Sequence, residues 1–223
     1  GQPQANSRDV THGLMVEVLV NGQFGYSGIN SFDPKSVSIA AEKAQKQAEL
    51  ASKHAIYNFD ERARPSFHGE YTSPREKPLN SISPGDLNTL LFQINDALKV
   101  SSEVISVSAL ARIVETEQEI VSSNGSEIHQ DFNLITFDMS ATASDGTIFQ
   151  TRTNAGSRGY SRQIGSEVFE NTEDIIQTAR TIGEEAVELI KSEECPTEAM
   201  DLVLAPDQMM LQIHESVGHA TEI

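Results

Sequence analysis

The sequence predicts an α+β fold in which antiparallel, hairpin-rich sheets pack against amphipathic helices. Three observations carry this. Asn21-Gly22, Asn124-Gly125 and Asp145-Gly146 each separate two β-prone runs, and such dipeptides accept the positive φ of a tight turn between antiparallel strands. Segments with apolar residues at three- and four-residue spacing predict helices between the sheets. The hairpin-then-helix order occurs twice, at 14–55 and 104–191, with no fixed period that would mark a duplication. A chain of 223 residues with 38% hydrophobic content can supply one large or two modest cores.

Leu14 to Val20 and Gln23 to Ile29 read as the first hairpin, joined by a type I′ turn at Asn21-Gly22. Asp33-Pro34 caps and opens a helix whose Val37, Ala41, Ala44, Ala48, Ala51 and Ala55 form a narrow stripe. Alanines there predict close packing on the sheet. From Asn58 to Ile82 the chain turns basic and proline-bearing, with Arg62, Arg64, Pro65, Pro74, Arg75, Lys77 and Pro78, and reads as an extended linker. His68 within it is expected to be solvated, and the basic residues would suit an acidic partner surface. The expected division is a first unit at 1–58, a linker at 59–82, a second unit at 83–195, and the opening strand and helix of a third at 196–223.

Ser83-Pro84-Gly85-Asp86 supplies a cap, a first-turn proline and an acid, followed by Leu87, Leu90, Leu91, Ile94 and Leu98 at helical spacing. Ile105, Val107, Ala109, Ala111 and Ile113 alternate as a strand. A second Asn-Gly hairpin follows at 123–126, then a strand through Ile135, Phe137, Met139 and Ala141, and after Asp145-Gly146 another over 147–152. Gly156, Gly159 and Gly165 interleave with Arg152, Arg158 and Arg162, but the spacing fits neither a P-loop nor a dinucleotide fingerprint. Asn171 caps a helix with Ile175, Ala179, Ile182, Ala186 and Leu189 on its buried face, and Cys195-Pro196 ends the unit. Asp201 to Ala205 then reads as a buried strand, Pro206-Asp207 as a turn, and the residues after it as a helix start with Met209, Met210 and Ile213 facing a core.

A net charge of −17 opposes non-specific binding to nucleic acid or anionic membrane. Acids such as Glu115, Glu117 and Glu119 and the Glu184 to Glu194 group read as solvated surface, with attraction of basic peptides as a second reading. No apolar run approaches the ~18 residues of a membrane span, and the first residues show no charged-then-apolar signal pattern, a leader removed ahead of Gly1 staying open as an alternative. The single Cys195 excludes an intrachain disulfide and suits a reducing compartment, so a cytoplasmic protein is expected.

The chemistry concentrates at His214-Glu215-Ser216-Val217-Gly218-His219, an H-E-x-x-x-H run. Two neutral imidazoles can hold a zinc ion, and a carboxylate beside the first can take a proton from activated water. In the familiar helical motif the histidines are four apart and share a face; five residues of ideal helix separate them by roughly 140°. One wide turn, a π-bulge, would return i and i+5 toward one face. Gly218 is expected to ease that distortion, leaving Glu215 beside the metal as a general base.

The stretch from Leu202 to Glu222, with Ala205-Pro206, Ile213-His214-Glu215 and Gly218-His219-Ala220-Thr221-Glu222, resembles the signature of the TldD/PmbA metalloproteases in their TldD-like catalytic subunit. That resemblance implies that His214 and His219 are zinc ligands, that Glu215 is the catalytic base, and that a β-rich catalytic domain opens here. The family's third ligand is a cysteine far downstream; Cys195 lies upstream of the motif and does not match it. Glu222 could reach a metal on a helix, although the family does not use it so. Without an initiator Met or that cysteine, the chain is expected to be an N-terminal fragment. Zinc-dependent hydrolysis of unstructured peptides follows, in a homo- or heterodimer with a related subunit and without nucleic acid or membrane partners. Substrates would be leader peptides of modified precursors or a labile antitoxin. The alternative is a non-catalytic binding, dimerisation or regulatory module, including modulation of DNA gyrase.

Overall fold

A computed structural model describes residues 6–155 and 160–222. They divide into two compact units, one built from 6–69 and 119–128, the other from 70–118 and 129–222. Gly156, Arg158 and Gly159 of the glycine- and arginine-bearing segment lie outside the described residues.

In the first unit, β1 (Leu14–Val20) and β2 (Gln23–Ile29) pair antiparallel from Leu14↔Ile29 to Val20↔Gln23. Asn21 at φ 51° and Gly22 at φ 77° make the expected mirror-image turn. Helix α1 (Pro34–Ala51) starts at Asp33, whose carboxylate accepts the Ser36 N–H at 3.0 Å. Hydrogen bonds from the hydroxyls of Ser36 and Ser31, then from the Ser36 N–H, hold that carboxyl at about 2. Ala40, Ala44 and Ala48 are fully buried against the hairpin. The expected stripe is thus rotated: α1 contacts the sheet along a straight i, i+4 row, and because it ends at Ala51, both Ala51 and Ala55 are exposed. Close packing is reciprocal, since a side chain on Gly25 of β2 would put a Cβ 1.9 Å from the Ala44 carbonyl oxygen.

The second sheet has the order β3-β5-β4, with β6 and β7 also pairing β5. Its strands are β3 (His68–Thr72), β4 (Val104–Val121), β5 (Glu127–Ser144), β6 (Phe149–Thr153) and β7 (Tyr160–Arg162). The segment read as linker therefore contains a strand, on which His68 is exposed, and a buried Leu79. Pairing with β5 imposes extended backbone where side-chain pattern does not ask for it. In the loop between β4 and β5, Asn124 keeps a negative φ; the loop spans Ser122–Ser126, closed by the Ser122 N–H on the Ser126 carbonyl at 3.1 Å, with Gly125 at φ 93°. Strand β6 starts at Phe149 because the Asp145 carboxylate accepts the Thr147 and Ile148 N–H groups, each at 2.8 Å, and holds them in the turn.

Helices α2 (Pro84–Leu98) and α3 (Thr172–Leu189) supply the other side of the core. Ile135, Phe137, Met139, Ala141 and Ala143 alternate along β5 and bury against Leu90, Ile94 and Leu98 of α2 and Ala179, Ile182 and Ala186 of α3. Period two thus meets period three-to-four, as the pattern predicts. Ile190, just past α3, is buried where Leu189 was expected. Arg152 is engaged by Glu185 at 2.7 Å and Arg162 stacks on Tyr160 at 4.0 Å.

The expected strand at 201–205 does not form. Leu202 and Val203 are 78% and 93% exposed, and no strand among the described residues pairs them, so no ladder offsets the loss of hydration. Helix α4 (Pro206–Ile213) takes in Pro206 and Asp207, where a turn ahead of the helix was expected, and Met209, Met210 and Ile213 face solvent rather than a core. No helix among the described residues is long and apolar enough to cross a membrane.

Candidate metal centre

Pro206 opens α4 at a position where a helix needs no N–H, and the Ala205 carbonyl accepts the Gln208 and Met209 N–H groups at 3.0 and 2.9 Å. The helix continues unbroken into a π turn over His214–Gly218, closed by the N–H of His219 on the carbonyl of His214. A 3-10 turn over His219–Thr221 follows. The wide turn that five-residue spacing demands is therefore present, and it brings the two imidazoles together with ring centroids 4.6 Å apart at 72°. Gly218 does not ease this as expected. Its φ of −56° and ψ of −62° are open to any residue, and an added Cβ would make only ordinary contact with His214 Nδ1 at 3.6 Å.

His214, Glu215 and His219 each offer one ligand atom, all within 4.8 Å of one another. Glu215 Oε2 lies 3.8 Å from His219 Nε2, and Glu222 Oε2 lies 2.8 Å from His219 Nδ1. The Thr221 hydroxyl donates to the Gly218 carbonyl at 2.8 Å, pinning the turn after the histidine. All three donors are solvent-facing, His219 with half its side chain exposed.

Two imidazoles with an adjacent carboxylate suit a borderline divalent ion such as zinc. Tetrahedral ligands at ~2.1 Å from an ion stand roughly 3.4 Å apart, so donors within 4.8 Å need only small side-chain adjustments to close on one. The residues present fit a metal. Cys195 is exposed, with its sulfur 3.8 Å from the Pro196 carbonyl oxygen, and adds no donor to the cluster. Glu222, expected only as a candidate ligand, instead meets the outer nitrogen of His219, a contact the sequence left unseen. Its signal was the i, i+3 spacing.

Residues 77–192 match the family model of the PmbA/TldA metallopeptidase central domain, and residues 1–48 that of PmbA/TldA metallopeptidase domain 1. The motif lies beyond both segments. A metalloprotease of Methanothermobacter thermautotrophicus is 28% identical over 212 residues, which cover 94% of this chain and 44% of the relative. Two solved structures, each described as a proposed modulator of DNA gyrase, share the fold. The Thermotoga maritima protein has a TM-score of 0.57 at 14% identity, over 82% of this chain and 39% of its own. The Bacteroides thetaiotaomicron protein has a TM-score of 0.56 at 18% identity, over 80% of this chain and 39% of its own. The chain spans less than half the length of these relatives.

Proposed function

The chain belongs to the PmbA/TldD metallopeptidase family, and from that premise we propose that it carries the metal-holding and proton-transferring residues of a zinc-dependent peptidase. The observation that supports this reading is the π turn at His214–Gly218, which places His214 and His219 on one face with Glu215 beside them. His214 and His219 would hold the ion, with a cysteine from outside residues 1–223 as third ligand by family resemblance. When bound, the ion supplies Lewis acidity toward a peptide carbonyl and toward water. Glu215 accepts the proton of the attacking water and delivers it to the leaving amine.

Substrates in this reading are unstructured peptides, such as leader peptides of modified precursors or a labile antitoxin. Cleavage takes place in a cytoplasmic homo- or heterodimer with a related subunit. The gyrase-modulator descriptions of two structural neighbours favour a second reading, in which the chain is a non-catalytic binding or regulatory module. Zinc stoichiometry and peptide cleavage of the full-length protein and its Glu215→Gln variant separate the two. The peptidase reading expects retained zinc with cleavage reduced ~10²–10⁴-fold. Full cleavage by the variant removes Glu215 as the base, and absence of zinc and cleavage in the parent protein supports the binding module.

A further inference from the structure

We propose that Glu222 is a positioning residue for His219: its carboxylate holds the ring as the Nδ1–H tautomer and thereby dedicates Nε2 to the metal. This inference rests on the reading of His214 and His219 as the metal-holding pair. The two ring nitrogens of His219 face different carboxylates. Nδ1 lies 2.8 Å from Glu222 Oε2, a hydrogen-bond distance, whereas Nε2 lies 3.8 Å from Glu215 Oε2, beyond one. An ionised carboxylate can only accept, so Nδ1 must donate. A neutral imidazole carries one N–H, and Nε2 is left with its lone pair, on the side of Glu215.

The backbone builds this arrangement. The 3-10 turn over His219–Thr221 is fastened by the Thr221 hydroxyl on the Gly218 carbonyl, and Glu222 leaves that turn with its N–H 3.4 Å from the His219 carbonyl oxygen. Its carboxylate therefore returns over the outer edge of the ring it follows by three residues. A carboxylate on the far nitrogen fixes ring orientation and makes the metal-facing nitrogen a stronger base, and removing such a partner weakens metal binding ~10–100-fold. The same geometry argues against Glu222 as a ligand. To reach an ion at Nε2 it would have to abandon Nδ1, because the two nitrogens lie on separate edges of one planar ring.

Three variants of the full-length protein test the assignment: Glu222→Ala, Glu222→Gln and His219→Ala. Nitrogen NMR of the metal-free protein with labelled histidine reports the His219 tautomer, and competition with a chromophoric chelator reports the zinc dissociation constant. The expected result is Nδ1–H in the parent protein, reversion toward the Nε2–H form of free histidine in Glu222→Ala, and retention of Nδ1–H in Glu222→Gln, whose amide oxygen still accepts. Zinc affinity should fall ~10–100-fold in Glu222→Ala and much less in Glu222→Gln. An unchanged thermal midpoint in the alanine variant assigns that loss to the site rather than to folding. If His219→Ala binds zinc like the parent, the metal-centre reading itself fails. If His219→Ala loses zinc while Glu222→Ala keeps both parental affinity and Nδ1–H, only the role of Glu222 is overturned. Equal zinc loss in both Glu222 variants with an unchanged tautomer makes Glu222 a ligand and also overturns the proposal.

Discussion

Replacing Glu167 by alanine should destabilise the second unit by about 2–3 kcal/mol at neutral pH. Its carboxylate gathers backbone N–H groups from two segments: Gly165 at 2.9 Å and Glu76 at 3.1 Å on Oε1, and Lys77 at 3.0 Å on Oε2. Burial alone would raise its pKa, but the N–H donors of Glu167, Glu76, Gly165 and Lys77 outweigh that effect and hold the carboxyl at about 2. Hydrogen bonds to a charged group contribute about 1.5–3 kcal/mol each in dry surroundings. Water reaches this partly exposed group, so about 1 kcal/mol per bond, over three stranded donors, is the appropriate scale. Glu167→Gln keeps an oxygen for Gly165 and Glu76 and loses only the Lys77 bond, so it should cost about 1 kcal/mol. Urea unfolding of the full-length protein, followed on the transition of this unit, measures both. Because the folded pKa lies below the ordinary 4.5, the charge contribution is fully present above about 4.5 and is lost as pH falls toward about 2. The gap between the parent and the alanine variant should therefore narrow across that window. A gap under about 0.5 kcal/mol at pH 7, or one that ignores pH between 5 and 2, would mean that these charge-assisted bonds do not stabilise the unit.

Gly25→Ala would drive a Cβ to 1.9 Å from the Ala44 carbonyl oxygen and 2.8 Å from the Ala48 nitrogen, so the hairpin and α1 must separate. A cost of about 1–3 kcal/mol is expected, and an unchanged thermal midpoint would contradict their direct packing. Ile94→Ala empties a fully buried position in the second core; a loss of about 2–5 kcal/mol should appear as a lower denaturant midpoint, whereas under about 1 kcal/mol would mean the site is not core. Asp33→Ala removes the α1 cap and should weaken the first unit only where the parent carboxylate is ionised, the difference vanishing as pH falls from 3.8 through about 2. Equal stability of variant and parent at pH 7 would contradict the cap.

Local signals carried much of the fold. Asn21-Gly22 specified its turn because both residues tolerate positive φ, and Ser83-Pro84 and Asn171 marked helix starts through short capping bonds. The alternation from Ile135 to Ala143 exposed the face that β5 buries. What escaped was structure set from a distance. Strand β3 lies in a proline-bearing basic stretch, and β4 continues through Glu115, Glu117 and Glu119, because β5 supplies hydrogen-bond partners that side-chain pattern does not advertise. Leu202 and Val203 erred in the opposite direction: β-prone side chains make no strand without a neighbouring edge. At the candidate centre the π turn was legible because helical rotation is arithmetic, and five residues close on one face only in a widened turn. Glu222 was legible in position but not in role, since which edge of His219 it meets depends on how the following 3-10 turn folds back.

Diffraction from the zinc-loaded full-length protein, collected on both sides of the zinc absorption edge, locates the ion and its ligands. One anomalous peak is expected within about 2.1 Å of His219 Nε2 and of a ring nitrogen of His214, with Glu215 beside the ion and Glu222 on the opposite edge of the His219 ring. An ion held by other side chains, or no peak between these two imidazoles, would contradict that arrangement.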